Sequence, residues 1–256
     1  MPASLPFRSA LVTGASSGIG QAMVQQLANA GVPTVAVARR GDRLQLLAES
    51  YPSVSPLVAD LETDAGVDAV AARVADGVDL VVNNAGFGTS GKFYELDPGR
   101  LDREVALNVR ALTRLSHAAL AAMAPVGRGY LLNVSSVVSF QPAPGLAVYA
   151  ATKAYVTSLG ESLHEEARGT GVHVTTLCPG LTRTEFISVS NSSGYQDSYP
   201  EFAWMDADQV AACGLRDVAR GKALSVPGVL YKAMSTAVGV TPRGLARRLS
   251  GLVQRT

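Results

Sequence analysis

The sequence predicts an α/β protein: a single domain, residues 1–256, built on a doubly wound parallel sheet of about seven strands with helices on both faces. Short apolar segments alternate along the chain with longer segments of helical periodicity. No stretch is long and polar enough to separate two domains, and 47% hydrophobic with 17% charged residues is typical of a globular protein. We expect the strand order 3-2-1-4-5-6-7 with right-handed crossovers.

The predicted strands are short apolar runs that end in turn residues. The first is the run 9–13, which ends at Gly14, and the second is 34–38, with the sequence Thr-Val-Ala-Val-Ala. Four further runs have the length and composition of buried strands: 54–59, 78–83, 129–134 and 172–177.

The segments between the strands show helical periodicity. Met23, Val24 and Leu27 have the spacing of a buried helix face. Asp97 and Pro98 are a favourable cap and first-turn pair. The predicted helices are 21–30, 43–50, 63–75, 98–123 and 147–168.

Three glycines lie in the turn between the first strand and the first helix. The segment reads Gly14-Ala-Ser-Ser-Gly18-Ile-Gly20. Glycine permits a tight turn here and lets backbone N–H groups approach a pyrophosphate at the helix N-terminus. The spacing Gly-x-x-x-Gly-x-Gly differs from the common Gly-x-Gly-x-x-Gly dinucleotide motif. The alternative is a glycine-rich turn without a ligand.

The end of the second predicted strand indicates which nucleotide is preferred. In a sheet of this type the adenosine ribose lies there, and an acidic side chain would bind a free 2′-hydroxyl. This chain has Arg39 and Arg40 instead, and we interpret the nearest acid, Asp42, as the cap of the next helix. Because arginine matches a 2′-phosphate in charge and shape, we expect NADP(H) rather than NAD(H). The alternative is that both arginines belong to a solvated helix start.

Tyr149 and Lys153 are four residues apart in the predicted helix 147–168, so both side chains project from one face. A phenol titrates at about pH 10, and a nearby cation lowers that pKa. Ser136, at the end of the fifth strand, can supply a hydroxyl to the same substrate oxygen. The three side chains predict a site for carbonyl reduction. Tyr149, with Lys153 nearby, would donate a proton, and Ser136 would hydrogen-bond the substrate oxygen. By itself, the Tyr-Lys pair can also be an exposed pair on an ordinary helix.

The motifs converge on one crevice. Doubly wound sheets bind ligands at the carboxyl ends of their strands. Residues at five predicted strand ends belong to the motifs: Gly14, Arg39, Asn83, Ser136 and Pro179.

In this order, the motifs resemble those of the compact short-chain dehydrogenase/reductase family, a Rossmann-like fold of about 250 residues, over nearly the whole chain. The matching segments are 13–20, 60–61, 83–86, 108, 133–136, 149–153 and 179–184. With the two arginines, the resemblance implies the following cofactor-binding residues: Gly14, Ser16, Ser17, Gly18, Ile19, Gly20, Arg39, Arg40, Asp60, Leu61, Asn83, Ala85, Gly86, Tyr149, Lys153, Pro179, Gly180, Thr182 and Thr184.

The resemblance also implies the catalytic roles. Tyr149 would be the general acid in reduction and the general base in oxidation, and Ser136 would hydrogen-bond the substrate oxygen. Lys153 would bond the nicotinamide ribose and lower the pKa of Tyr149. Asn108 would hold a water that links Lys153 to solvent. Arg39 matches the position that marks NADP-preferring members.

The segment 186–205 has no regular pattern. It mixes Ser and Asn with the aromatic residues Tyr195, Tyr199, Phe202 and Trp204. Because it follows the loop after the sixth strand, we predict a lid over an apolar or ring-shaped substrate. The alternative is a surface loop whose aromatic side chains pack on the body of the domain.

The C-terminal part is basic. From 218 to 256 the chain has seven Lys or Arg and no Asp or Glu, whereas the whole chain has a formal net charge of +1. The apolar residues of 242–254 recur at helical spacing and predict a basic amphipathic helix. It would contact an anionic membrane surface, an acyl carrier or coenzyme A phosphates, or else pack on the substrate pocket or a neighbouring subunit. Nucleic-acid binding is not expected, because the motifs of those folds are absent.

The sequence therefore predicts an NADP(H)-dependent oxidoreductase that interconverts a carbonyl and a secondary alcohol by hydride transfer. The segment 149–186 most resembles a broad subgroup with relatives that act on steroids or fatty acyl thioesters, which favours an apolar substrate. Family members are often homodimers or homotetramers joined through the helices that carry Asn108 and Tyr149. The rival hypotheses are a non-catalytic NADP-binding sensor or scaffold, and a membrane-surface enzyme anchored by its tail.

The remaining features favour a cytoplasmic protein without a metal. The start of the chain lacks a signal pattern, and no apolar run reaches about 18 residues. The only cysteines, Cys178 and Cys213, are expected to be reduced. The three histidines lack the spacing of metal ligands.

Overall fold

The computed structural model describes residues 5–190 and 200–240, whose core is a sheet of seven parallel strands. In chain order the strands are Ala10–Thr13 (β1), Thr34–Ala38 (β2), Val54–Val58 (β3), Leu80–Asn83 (β4), Gly129–Val134 (β5), Val172–Leu177 (β6), Thr182–Arg183 (β7), Met205–Asp206 (β8) and Leu224–Ser225 (β9). The sheet order is β3-β2-β1-β4-β5-β6-β9, while β7 and β8 form a separate parallel pair.

The predicted sheet is confirmed. Every residue of β1, β2, β4 and β5 is buried, as expected for parallel strands covered on both faces. The edge strand β3 contains Pro56, because only an edge tolerates the missing N–H group. The seventh position is taken by the two-residue strand β9, in which Leu224 pairs with Thr176.

Helices cover both faces of the sheet. On one face, Leu27, Leu44 and Leu215 are buried against it, and on the other face Val70 and Leu115 are buried. No helix of the described residues is long and apolar enough to cross a bilayer. The helices are Gly18–Asn29 (α1), Gly41–Ser50 (α2), Asp64–Ala75 (α3), Pro98–Val105 (α4), Leu112–Met123 (α5), Ala147–Glu166 (α6), Phe186–Val189 (α7), Ala207–Ala219 (α8) and Val229–Val240 (α9).

The helix predicted for 98–123 is interrupted by a π-helical segment, Ala106–Ala111, between α4 and α5. Asp97 caps α4 and accepts hydrogen bonds from two first-turn N–H groups at 3.1 and 3.0 Å. Periodicity alone does not distinguish such a short wide turn from α-helix. The π segment contains Asn108, and π turns frequently mark functional sites.

The interpretation of Asp42 as a helix cap is wrong. Helix α2 begins at Gly41, so Asp42 lies within its first turn. A carboxylate in that turn still favours the helix, because it faces the positive end of the helix dipole.

The predicted lid, 186–205, is described in part. Its residues 191–199, with Tyr195 and Tyr199, and the predicted helix 242–254 lie outside the described residues. Just before the segment, Thr182 of β7 pairs with Met205 of β8 at the end of the segment, which brings the two ends close together.

Candidate active site

A cavity of about 810 Å³ follows the carboxyl ends of the strands. The loops after β1, β2, β4, β5 and β6 form its walls, as expected for a doubly wound sheet. Ser136 lies in the wall, together with these residues predicted to bind the cofactor: Gly14, Ser16, Ser17, Gly18, Ile19, Arg39, Arg40, Asp60, Leu61, Ala85, Gly86, Tyr149, Lys153, Pro179, Gly180, Thr182 and Thr184. Of the residues predicted to bind the cofactor, Gly20 and Asn83 do not line the cavity, and neither does Asn108, which was predicted to be catalytic.

The glycine loop has no room for larger residues. Gly14 has a φ of 69°, and a Cβ there would lie 2.7 Å from Asn84 Nδ2. A Cβ on Gly20 would lie 2.4 Å from the carbonyl oxygen of Gly14. Gly18, the first residue of α1, faces Thr184, whose Cγ2 would be 2.9 Å from a Cβ. The loop presents bare backbone at a helix N-terminus, which fits the pyrophosphate of a dinucleotide.

Asn83 and Asn84 have different positions. Asn83 is buried, and its Nδ2 donates to Asn133 Oδ1 at 2.9 Å and to Ser116 Oγ at 3.1 Å. Asn84 lines the cavity, and its Nδ2 donates to the carbonyl oxygen of Thr13 at 2.9 Å. Successive side chains point to opposite sides of a strand, so Asn84 faces the cavity and the predicted Asn83 instead ties β4 to β5 and α5.

Arg39 and Arg40 point in different directions. Arg39 Nη1 donates to Glu62 Oε1 at 2.7 Å. Arg40 Nε donates to Ser16 Oγ at 3.0 Å, and its Nη2 donates to Ser17 Oγ at 2.8 Å. The structure therefore directs Arg40, and not Arg39, to the hydroxyls of the glycine loop.

Two further charged residues, Arg43 and Glu185, lie beside Arg40. The sequence did not predict a role for either of them. Glu185 accepts hydrogen bonds from Arg40 at 2.8 Å and from Arg43 at 2.6 Å. The hydrogen bonds from these arginines lower the pKa of Glu185 to about 2. No local pattern signals the contact, because Glu185 lies 142 residues from Arg43 in the sequence.

Asp60 and Leu61 follow β3 in the cavity wall. Asp60 Oδ1 accepts a hydrogen bond from the backbone N–H of Glu62 at 3.0 Å, and its carbonyl oxygen accepts one from the Thr63 hydroxyl at 2.8 Å. These bonds order the turn that leads into α3.

Tyr149, Lys153 and Ser136 all line this cavity. Tyr149 and Lys153 are only 8% and 4% exposed. Lys153 Nζ lies 5.6 Å from the Tyr149 ring centroid and donates to the carbonyl oxygen of Val134 at 2.9 Å. The Ser136 hydroxyl is close enough to the phenol to lower the pKa of Tyr149. The fold thus brings the predicted trio together.

Burial changes the pKa of both titratable members of the trio. It raises the pKa of Tyr149, and the interaction with the Ser136 hydroxyl opposes this only in part. It lowers the pKa of Lys153 to about 8. The expected lowering of the Tyr149 pKa is therefore not met, because removing the phenolate from water has the largest effect. At neutral pH Tyr149 is a neutral phenol, the form that donates a proton.

Asn108 lies behind the cavity wall. Its Nδ2 donates to Phe87 O at 2.8 Å and to Thr152 Oγ1 at 3.1 Å, while its Oδ1 accepts from Phe87 N at 3.2 Å. A Cβ on Gly86 would lie 2.9 Å from Asn108 Oδ1 and 3.4 Å from Lys153 Nζ. The Asn108 side chain therefore holds the loop after β4 against Lys153, and its role in a water relay stays a prediction.

Glu104 is a buried acid that our sequence reasoning missed. It is 0% exposed, and neither carboxyl oxygen meets hydrogen-bond geometry with any described group. Burial raises its pKa, while an interaction with the Thr89 hydroxyl and the charges of Arg100 and Lys153 lower it. In the sequence, Glu104 is four residues before Asn108, which places both on one helix face. This spacing is the sequence signal from which a role for Glu104 could have been predicted.

The other end of the cavity is apolar. The Tyr231 ring packs on Gly180, where a Cβ would lie 2.2 Å from it, and its hydroxyl donates to Ala203 O at 2.7 Å. The Phe186 ring lies 5.1 Å, centroid to centroid, from that of Tyr149. Further apolar residues line this end: Val137, Val138, Pro142, Leu146, Ile187, Val189, Trp204, Leu230 and Met234.

Comparison with known proteins identifies the family of the chain. Residues 8–193 match the short chain dehydrogenase family. An uncharacterized oxidoreductase of Myxococcus xanthus is 37% identical over 196 residues, which make up 74% of this chain and 78% of that protein.

Two solved structures show the same fold. A short-chain dehydrogenase from Sphingobium yanoikuyae in complex with NADPH has a TM-score of 0.84 and 33% identity over 93% of this chain and 94% of that one. A 3-ketoacyl-(acyl-carrier-protein) reductase from Brucella melitensis, complexed with NADH, has a TM-score of 0.77 and 28% identity over 87% and 96%. With the glycine loop, Ser136, Tyr149 and Lys153 in one cavity and a family match over most of its length, the chain belongs to the short-chain dehydrogenase/reductase family of oxidoreductases.

Proposed function

We propose that the protein is an NADP(H)-dependent reductase of a carbonyl group, or the dehydrogenase of the corresponding secondary alcohol. The observation that carries the proposal is one cavity that holds Ser136, Tyr149 and Lys153 at its centre and Arg40 at one end. Carbonyl reduction by a nicotinamide nucleotide requires a proton donor beside the nucleotide site.

The residues present fit NADP(H). The glycine loop suits the pyrophosphate, and Arg40 with Ser16 and Ser17 suits a 2′-phosphate. Lys153 would hold the ribose hydroxyls, and the loop 179–184 would hold the carboxamide. When bound, the nicotinamide supplies the hydride that the carbonyl carbon accepts.

Tyr149 and Ser136 act on the substrate oxygen. Tyr149, neutral at pH 7, donates its proton as negative charge develops on that oxygen, and the Ser136 hydroxyl donates a hydrogen bond to the same atom. The Lys153 ammonium, 5.6 Å from the ring centroid, stabilises the phenolate that remains. In alcohol oxidation the phenolate accepts the proton.

The substrate that this cavity supports best is neutral and apolar. Among the described residues, the apolar end beyond Tyr149 is lined by aromatic and aliphatic side chains such as Phe186, Trp204 and Leu230, with no charged side chain. A carboxylate or phosphate bound there would lack a counter-charge. A steroid-like ketone or the acyl part of a thioester fits these walls.

NADPH oxidation against β-ketoacyl thioesters, ketosteroids, quinones and small aldehydes tests the proposal. We expect turnover with one apolar class and a loss of at least about 100-fold in Tyr149→Phe, with NADPH binding retained. Tyr155→Phe is the matched control, since Tyr155 lies on the same helix and its hydroxyl contacts Thr113 outside the cavity. Activity of Tyr149→Phe within a few-fold of wild type would contradict the role. NADPH binding without turnover on any class would favour a sensor or scaffold.

We also propose that copies of the chain associate through the helices that carry Asn108 and Tyr149. Phe93 and Val105 are exposed at 60% and 44%. Phe93 and Val105 line an apolar depression between these helices. We expect light scattering to show a dimer or tetramer, which Val105→Glu weakens. A wild-type monomer would contradict this arrangement.

A cytoplasmic location is part of the proposal, and contact of the basic tail with membranes or acyl carriers stays a prediction. The tail segment 241–256 lies outside the described residues. Sedimentation with anionic vesicles, with and without that segment, separates a membrane-bound from an unbound protein.

A further inference from the structure

The Glu185 carboxylate, in the loop after β7, lies at one end of the cavity between Arg40 and Arg43, two arginines that follow β2. Glu185 Oε2 accepts a hydrogen bond from Arg40 Nη1 at 2.8 Å, and its Oε1 accepts one from Arg43 Nη1 at 2.6 Å. Arg40 also donates to the hydroxyls of Ser16 and Ser17 at 3.0 and 2.8 Å. We call Ser16, Ser17, Arg40 and Arg43 the anion site, and Glu185 is the anion that it holds.

The anion site has the composition of a phosphate site. Guanidinium groups and hydroxyls donate well to phosphate oxygens. A phosphate monoester has three acceptor oxygens and about 1.5 to 2 negative charges, whereas a carboxylate has two oxygens and one charge. The side chains of Arg40 and Glu185 are 40% and 42% exposed, so their ion pair is weak enough to be exchanged for a stronger anion.

Glu185 links the anion site to the wall beside the general acid. The preceding residue, Thr184, packs against Gly18 of the glycine loop. The following residue, Phe186, has its ring 5.1 Å from that of Tyr149. The two chain neighbours of Glu185 therefore contact the glycine loop and Tyr149, so a movement of the Glu185 backbone would reach both.

We propose that Glu185 sets the cofactor preference by competing with the 2′-phosphate of NADP(H) for Arg40 and Arg43. The proposal rests on the NADP(H) dependence proposed above. A 2′-phosphate displaces the Glu185 carboxylate and releases the loop, whereas a cofactor without that phosphate leaves the Glu185 contacts in place. The preference then depends on the difference between two anions at one site, and not on the arginines alone.

Calorimetric titration with adenosine 2′,5′-bisphosphate and adenosine 5′-monophosphate tests the competition without turnover. Glu185→Gln keeps the size of the side chain and removes its charge. We expect the variant to bind the bisphosphate roughly three- to tenfold more tightly than wild type, because the competing ion pairs are lost. Binding of the monophosphate should change by less than about twofold.

A matched control comes from the same region of the chain. Glu201 is 87% exposed and forms an ion pair with Arg183, and neither residue lines the cavity. Glu201→Gln therefore removes a similar exposed pair without touching the anion site, and both affinities should remain unchanged.

The emission of Trp204, the only tryptophan, reports on the release of the loop. Trp204 lines the cavity and precedes β8, which pairs with β7 next to Glu185. We expect the bisphosphate to change its emission in the wild type and to change it less in Glu185→Gln, where the contact is already broken.

The outcomes separate this proposal from the proposed function. If wild type and Glu185→Gln prefer the bisphosphate equally, the competition is overturned and NADP(H) dependence stands. If only the variant shows a preference, the competition is supported and NADP(H) dependence of the natural protein is overturned. A lack of preference in both proteins overturns both proposals.

Discussion

The ammonium nitrogen of Lys153 lies 5.6 Å from the ring centroid of Tyr149, and both side chains are buried in the cavity wall. In the proton transfer that we propose, this proximity would give the phenolate a counter-charge. Burial, however, lowers the pKa of Lys153 to about 8, so the folded protein holds this cation at the expense of stability. The same burial that builds the site opposes folding.

Lys153→Met should therefore stabilise the fold at pH 7 while it abolishes turnover. Below pH 8 the amine is charged in both states and its burial opposes folding. Between pH 8 and its ordinary pKa of 10.5 the folded state loses the proton first, so stability contributed by this group rises with pH. We expect a gain of about 1–3 kcal/mol in the free energy of unfolding at pH 7, which shrinks toward pH 10. Urea unfolding at several pH values measures it, and a gain independent of pH would contradict the assignment.

Glu104→Gln should also stabilise the protein, with the opposite dependence on pH. Burial raises the pKa of Glu104 above its ordinary 4.5. Above pH 4.5 the unfolded state ionises before the folded state does, so wild-type stability falls as pH rises. We expect the variant to gain about 1–3 kcal/mol at pH 7 and less at pH 4.5. Thermal unfolding at both pH values measures this, with the exposed Glu161→Gln as control. A destabilised Gln variant at pH 7 would show that the carboxylate has a partner.

Arg40→Ala should weaken NADPH binding more than Arg39→Ala does. Arg40 donates to both hydroxyls of the glycine loop, whereas Arg39 is paired with Glu62 at 2.7 Å. A charge-assisted hydrogen bond contributes about 1.5–3 kcal/mol, so we expect a loss of roughly tenfold or more for NADPH and little change for NADH. Fluorescence titration of both nucleotides decides this. A larger loss in Arg39→Ala would place the 2′-phosphate on the other arginine.

Gly20→Ala should abolish dinucleotide binding. The added Cβ would lie 2.4 Å from the carbonyl oxygen of Gly14, so the loop must move. We expect about 1–3 kcal/mol of destabilisation, as in an overpacked core, and a loss of NADPH binding. Gly99→Ala is the control, because its nearest neighbour would be 3.6 Å away. Thermal unfolding and NADPH titration report the two effects. Normal NADPH binding by Gly20→Ala would show that the loop adapts.

The sequence by itself was sufficient to predict the sheet and the grouping of Ser136, Tyr149 and Lys153. Apolar runs such as 34–38 identify buried strands because period and composition are local properties. The four-residue spacing of Tyr149 and Lys153 likewise places both on one face of a helix. Parallel topology then brings the strand ends that carry Gly14 and Ser136 to one edge, as the structure confirms.

Only the tertiary structure decided which polar side chains face one another. It turned Asn84 rather than Asn83 to the cavity, aimed Arg40 rather than Arg39 at the glycine loop, and brought Glu185 to the same arginine. It also raised the pKa of Tyr149 by burial, which outweighs the lowering by the Ser136 hydroxyl. Such outcomes depend on contacts between residues that are far apart in the chain and on solvent exclusion, and neither leaves a periodic pattern in the sequence.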